Sequence, residues 1–180
     1  GIGRVIAQVV AGEGAMTVLT ARSEKNLAYT AKTITDSGGA SHVILSDLTD
    51  EASVKGLVKE TVARFGSIDS LINNSGVAGP MKPAEDITAK EWEECFAVNV
   101  TGMFLCCKHV IPIMKKQRSG RIINISSMSG KRPLVNRSPY TASKMAVIGL
   151  SRTLAFEVGE FGFTVNSVCP GATEGERIRR

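Results

Sequence analysis

Alternation between short apolar runs and amphipathic stretches constrains this chain more than any other feature of its sequence. "MTVLTA" (16–21), "HVIL" (42–45), "SIDSLIN" (67–73), "GRIINIS" (120–126) and "FTVNSVC" (163–169) each have strand length and give way to polar or glycine-rich residues. Helical patterns separate them. "SEKNLAYTAKTITDSG" (23–38) opens on a serine cap and closes on glycine, and a second helix is predicted from about Asp50 to Phe65. "ITAKEWEECFAVNVTGMFLCCKHVIPIMKKQ" (87–117) reads as one long helical stretch with a Thr88/Glu91 capping box and Pro112 in its last turns. In "SPYTASKMAVIGLSRTLAFEVGEFG" (138–162), Ser138 is the expected cap and Pro139 the first helical residue. Strands joined in this way by helical crossovers are parallel, so the predicted fold is a doubly wound α/β sheet with helices on both faces. With 43% hydrophobic residues and neither repeat nor linker, residues 1–180 are expected to form a single domain.

Composition removes several function classes. The net charge of +5 is scattered along the chain and aromatic residues make up only 5%, so neither a basic stripe nor a base-stacking platform is indicated, and no nucleic acid partner is expected. His42 and His109 stand far apart without ligand-spaced partners, and no metal site is predicted. Cys95, Cys106, Cys107 and Cys169 form neither a CxxC pair nor a disulfide framework, which fits a reduced, cytoplasmic setting. No apolar run of the roughly 18–20 residues needed to span a bilayer is apparent, and no membrane partner is expected.

In an open parallel sheet, ligands collect outside the carboxyl ends of the strands. Those ends are polar here: Ala21-Arg22-Ser23, Asp47-Leu48, "NNSG" (73–76), Ser126-Ser127 and Pro170-Gly171. At the start of the chain, "GIGRVIAQVV" reads as a phosphate-binding turn running into a helix, with Gly1, Ile2 and Gly3 at its amide end. On the last helix, Tyr140 and Lys144 are four residues apart and share a face. A phenol is a poor base at neutral pH, but an ammonium within about 4–6 Å favours its anion and lets it exchange protons with a substrate oxygen.

Together, "GIG", Asp47, "NNSG", "VNVTG" with Asn99, "NISSMSG" with Ser127, "YTASK" and "PG" at 170–171 occur in the order, and with the thirteen-residue Ser127-to-Tyr140 spacing, of a short-chain dehydrogenase/reductase. The chain resembles that family over essentially its whole length. The resemblance implies a Rossmann-like fold and an NAD(P)(H)-dependent oxidoreductase that interconverts a small-molecule carbonyl and a secondary alcohol, with a 3-oxoacyl-thioester reductase among the candidates. Tyr140 would be the general acid/base, Lys144 would hold the nicotinamide ribose, Ser127 would bond the substrate oxygen, and Asn99 would hold a water in a proton relay. Gly1, Ile2, Gly3, Arg22, Ser23, Asp47, Leu48, Asn74, Gly76, Tyr140, Lys144, Pro170 and Gly171 would bind the cofactor. Asn73 would cross-link strands beneath it.

Smaller roles remain as alternatives: Asn99 as a satisfier of backbone groups at a helix irregularity, and Asp47 as a helix-capping carboxylate. Arg22 after the first strand, where an NAD-binding protein carries a carboxylate, favours NADP(H) over NAD(H). Lys131, Arg132 and Arg137 before Tyr140 suit either an anionic substrate or a solvated loop. The threonine that many relatives carry five residues after the "PG" proline is Gly175 here, with Thr173 the available substitute. A competing reading is a nucleotide-binding regulatory or scaffold protein without chemistry. A homo-oligomer is expected, through the Phe104–Lys116 helix and the Tyr140 helix.

The resemblance also implies a strand ahead of Gly1 and a segment beyond the last residue, so the fold is expected to be truncated at both ends. Removing a central strand opens a gap of about 9.6 Å between its neighbours. The 180 residues alone are therefore expected to fold poorly and to show little activity.

Overall fold

The computed structural model describes residues 1–173. Gly175 lies outside the described residues, as does the rest of the 174–180 stretch.

The elements follow one another as α1 (Ile2–Gly12), β1 (Met16–Ala21), α2 (Glu24–Asp36), β2 (Ala40–Leu45), α3 (Glu51–Phe65), β3 (Ser70–Asn73), α4 (Ala89–Phe96), α5 (Gly102–Gln117), β4 (Arg121–Ile125), α6 (Ser138–Val158) and β5 (Thr164–Val168). Every ladder is parallel: Met16 lies opposite Ala40, Ser70 opposite Arg121, and Arg121 opposite Thr164. The alternating α/β architecture is therefore the one expected. Among the described residues the strands form two sheets, β1–β2 and β3–β4–β5, with no ladder joining them. A sheet interrupted rather than continuous was the expectation from the sequence.

Local signals set most helix ends. Ser23 Oγ accepts from Asn26 N–H at the start of α2, and the Asp50 carboxylate accepts from the N–H groups of Ala52 and Ser53 at the start of α3. Gly66, in the left-handed region at φ 80°, ends α3. The Thr88/Glu91 capping box forms in full. One expected cap does not form. Thr141 N–H bonds Arg137 O at 2.8 Å, so α6 starts a residue early, with Arg137 as the N-cap residue and Ser138 already inside the helix.

The long helix also differs from expectation. Residues Ala97–Thr101 are wound as a π-helical segment between α4 and α5, and the helical path runs unbroken from Ala89 to Gln117. It is 29 residues long, and an 18-residue window within it reaches a mean hydropathy of 1.5, enough to cross a membrane by length and composition, contrary to the sequence expectation. The physical reason is core packing: Cys95, Asn99, Met103, Leu105, Cys106, Cys107, Val110 and Met114 along it are all buried within the fold. Pro112 is carried inside α5.

Two main apolar clusters hold the layers. Ala7 and Ala11 of α1 pack with Leu27 and Ile34 of α2 on Leu19 of β1. Val58 of α3, Cys107, Val110 and Met114 of α5, and Leu154 and Val158 of α6 close around Ile122 of β4 and Val165 of β5. The second cluster seats α6 against β4, which positions the site.

Candidate active site

Strand β4 and helix α6 are locked at one level by three contacts. Lys144 Nζ donates to Ile125 O at 2.9 Å, Ser126 Oγ donates to Lys144 O at 2.6 Å, and Gly130 lies directly against the Lys144 carbonyl. A Cβ on Gly130 would stand 2.9 Å from that carbonyl, so only glycine fits without a shift. Lys144 is 4% exposed. The pair Ser126-Ser127 divides its labour accordingly. Ser126 is buried and bonded to the helix, whereas Ser127 is half-buried and its Oγ accepts from Ser129 N–H at 3.1 Å. Accepting that bond leaves the Ser127 O–H as a donor.

Two cations lie over the Tyr140 ring: Lys144 Nζ is 5.8 Å from its centre and the Arg137 guanidinium carbon 5.2 Å. One turn on, Ser143 Oγ donates to Tyr140 O at 2.8 Å and accepts from Asn99 Nδ2 at 3.0 Å. Asn99 is fully buried in the π-helical segment, where Oδ1 accepts from Val77 N–H at 2.8 Å and Nδ2 also donates to Val77 O at 3.0 Å. The loop after β3 is thereby clamped to α6. Gly76 sits in this clamp, and a Cβ there would lie 3.1 Å from Asn99 Oδ1 and 3.4 Å from Lys144 Nζ. Asn99 thus takes up the backbone-satisfying role that the sequence left as an alternative.

Two further connections assemble the strand ends. Ser126 N–H bonds Val168 O and Met128 N–H bonds Pro170 O at 2.9 Å, which sets Pro170-Gly171 beside the Ser127 turn. Asn73 Nδ2 donates to Asn124 Oδ1 at 2.8 Å, and Asn124 Nδ2 donates to Ser151 Oγ at 2.9 Å, tying β3 to β4 and β4 to α6. Asn73 is the expected cross-link.

On the other side of the site, Gly1 is the N-cap residue of α1 and no side chain caps that helix. Asn74 lies so close against Gly3 that a Cβ on Gly3 would clash with its Nδ2. The amides at the start of α1, uncapped by any side chain, and the glycines Gly1 and Gly3 are features that suit a pyrophosphate, so Gly1, Ile2 and Gly3, with Asn74 beside them, fit a dinucleotide. Arg22 and Ser23 are exposed after β1, with Ser23 also capping α2. Asp47 accepts from Thr49 N–H at 2.9 Å and from Thr49 Oγ1 at 2.7 Å. These two bonds, and then the positive charge of Arg22, hold its carboxyl below the ordinary carboxylate range. The capping role considered for Asp47 belongs to Asp50. Leu48 O touches Gly102 at the start of α5 and joins this group to the rest.

Ser143 and Gly130 are positions that sequence reading passes over, and Ser126 is singled out there only as a strand-end residue, with no partner assigned. Their signal was weak, because a small residue beside a motif says nothing of which backbone it will meet. Burial raises the thiols nearby: Cys106 to about 11 and Cys107 to about 12. All four cysteines are free.

The short chain dehydrogenase family model matches residues 1–179. Levodione reductase from Leifsonia aquatica is 37% identical over 174 residues, an alignment spanning 96% of this chain and 65% of that protein. The chain thus spans a little under two thirds of the length of that curated relative. Among solved structures, NAD+-bound xylitol dehydrogenase superposes with a TM-score of 0.95 at 32% identity, covering 98% of this chain and 68% of that one. An actinorhodin polyketide ketoreductase variant with NADPH gives the same TM-score at 34% identity, again covering 98% of this chain and 68% of the other.

Proposed function

Because the chain belongs to the short chain dehydrogenase family, we propose that the protein is an NAD(P)(H)-dependent oxidoreductase interconverting a carbonyl and a secondary alcohol. The observation that carries this reading is the β4–α6 lock, which holds the turn after β4, where Ser127 lies, against Lys144, with Tyr140 one turn earlier on the same helix. A nucleotide-binding scaffold without chemistry has no need of a Tyr140–Lys144 pair at that spacing.

A dinucleotide held at Gly1, Ile2, Gly3 and Asn74 would supply or accept the hydride at the substrate carbon. Ser127 O–H donates to the substrate oxygen and holds it beside Tyr140. Tyr140 gives its phenolic proton to that oxygen in reduction and takes it back in oxidation. Lys144 stabilises negative charge on the phenol oxygen during the transfer, and the clamp through Asn99 and Ser143 keeps the Tyr140 turn from shifting. The water-relay role of Asn99 is retained as part of this proposal.

NADP(H) is the proposed preferred cofactor and NAD(H) the lesser one. Arg22 supports the order, being an exposed fork donor at the end of β1 where a second phosphate is expected. We further propose a cytoplasmic homo-oligomer, supported by the free cysteines and by the exposed apolar side chains of Phe104 on α5 and Met145 and Phe156 on α6.

Tyr140→Phe in the full-length protein tests the mechanism. Turnover of carbonyl substrates with NADPH or NADH should fall by on the order of 10²–10⁴-fold while nucleotide binding persists. Turnover close to native would refute the assignment of Tyr140, and higher efficiency with NADH would refute the cofactor order.

A further inference from the structure

We propose that the substrate of this site carries a carboxylate and that Arg137 binds it, an inference that rests on the oxidoreductase reading and narrows it to a substrate class. The sequence presents Lys131, Arg132 and Arg137 as one basic loop, but the fold separates them. Lys131 and Arg132 are exposed, whereas Arg137 is half-buried with its guanidinium carbon 5.2 Å from the centre of the Tyr140 ring.

The backbone around Arg137 is pinned on both sides. Its carbonyl accepts from Thr141 N–H at 2.8 Å. The preceding residue, Asn136, turns through the left-handed region at φ 59°, and its carbonyl accepts from Lys82 N–H at 3.1 Å. The loop after β3 and the loop before α6 therefore meet at this point, and the arginine is held over the Tyr140 ring, half-buried rather than free in bulk solvent.

The neighbouring cations are already engaged. Lys82 pairs with Glu91 at 2.9 Å, and Lys144 donates to Ile125 O. Arg137 makes no ion pair within 4.0 Å among the described residues. A ring face offsets only part of the cost of withdrawing a guanidinium from water, and its in-plane donors call for a planar anion. A carboxylate matches that fork in two parallel hydrogen bonds. With the carbonyl oxygen of the substrate at Tyr140 and Ser127, a carboxylate a few bonds away reaches Arg137.

The test uses the full-length protein with NADPH and NADH. Its substrates are straight-chain and cyclic oxo acids with one to four carbons between carbonyl and carboxylate, each compared with its methyl ester. The native protein should favour at least one acid over its ester by about tenfold or more in kcat/KM. Arg137→Ala should bring that ratio near unity, and Arg137→Lys should retain part of it. A purely structural role for Arg137 would lower both activities and leave the ratio unchanged. Esters reduced as well as acids by the native protein, or a ratio that survives Arg137→Ala, would overturn the proposal and leave the oxidoreductase reading standing. Reduction of neither series with either nucleotide would overturn the proposal, and failure to turn over uncharged ketones and secondary alcohols as well would overturn the oxidoreductase reading.

Discussion

Replacing Gly130 by alanine should separate the two halves of the catalytic frame. The new Cβ would stand 2.9 Å from the carbonyl carbon and oxygen of Lys144 and 3.1 Å from Met145 N, all of them backbone atoms that no rotamer change can move. Ordinary contact begins at 3.4 Å, so the Met128–Gly130 turn and α6 must part by about 0.5 Å, the difference between 3.4 and 2.9. Overpacking of this kind costs about 1–3 kcal/mol. The same displacement moves Ser127 relative to Tyr140 and Lys144. Since misplacement by about 1 Å can cost on the order of 100-fold in rate, half of it should lower kcat by about tenfold. Gly149, further along α6, provides the control: nothing lies within 4 Å of a Cβ there. Gly149→Ala should raise stability by about 0.5–1 kcal/mol through helix propensity alone. Urea unfolding of both variants in the full-length protein, with steady-state rates at saturating nucleotide, measures the contrast. If Gly130→Ala matches native in both, or Gly149→Ala loses as much, the close contact does not register the site.

Two further outcomes are expected. Asn124→Ala removes the link between Asn73 and Ser151 and leaves buried amide and hydroxyl groups short of partners, so urea unfolding should show a loss of about 1–3 kcal/mol. The Glu91 carboxyl is lowered from its ordinary 4.5 to about 2, chiefly by Lys82 and then by the Thr88 N–H and hydroxyl of the capping box. A pKa depressed in the folded state stabilises fully above the unfolded value and loses that contribution as pH falls through the folded one. Melting temperatures should therefore drop more steeply for the native protein than for Glu91→Gln between about pH 5 and pH 2; parallel curves would remove Glu91 from the account.

The fold was legible because its determinants are local. Strand "MTVLTA" matches β1 residue for residue, and Ser23 and Thr88/Glu91 cap the helices expected of them, since each motif satisfies amides within three positions of itself; Asp50, read only as the approximate start of its helix, proves to be its cap. The failure at Ser138 has the same origin: with the Thr141 N–H on Arg137 O the helix starts earlier, and a propensity at one residue does not settle which carbonyl closes the first turn. The 87–117 stretch was legible as one long helix, and the structure winds it without a break from Ala89 to Gln117. Its π-helical turn at Ala97–Thr101 was not legible, because only the packing that buries Asn99 in the core decides that winding.

By itself, the sequence determined the alternation of strand and helix, the parallel pairing, and the identity of Asn99, Ser127, Tyr140 and Lys144 as the residues to watch. Tertiary structure alone decided what each of them touches. Ser126 rather than Ser127 spends its hydroxyl on α6; Asn99 holds Val77 and Ser143; Arg137, and not Lys131 or Arg132, faces Tyr140. These choices join residues 18 to 44 positions apart, or pick one side chain from a run of similar ones. Spacing along a helix or strand fixes which face a side chain shares with its neighbours, but the backbone it meets across the core depends on how the layers pack.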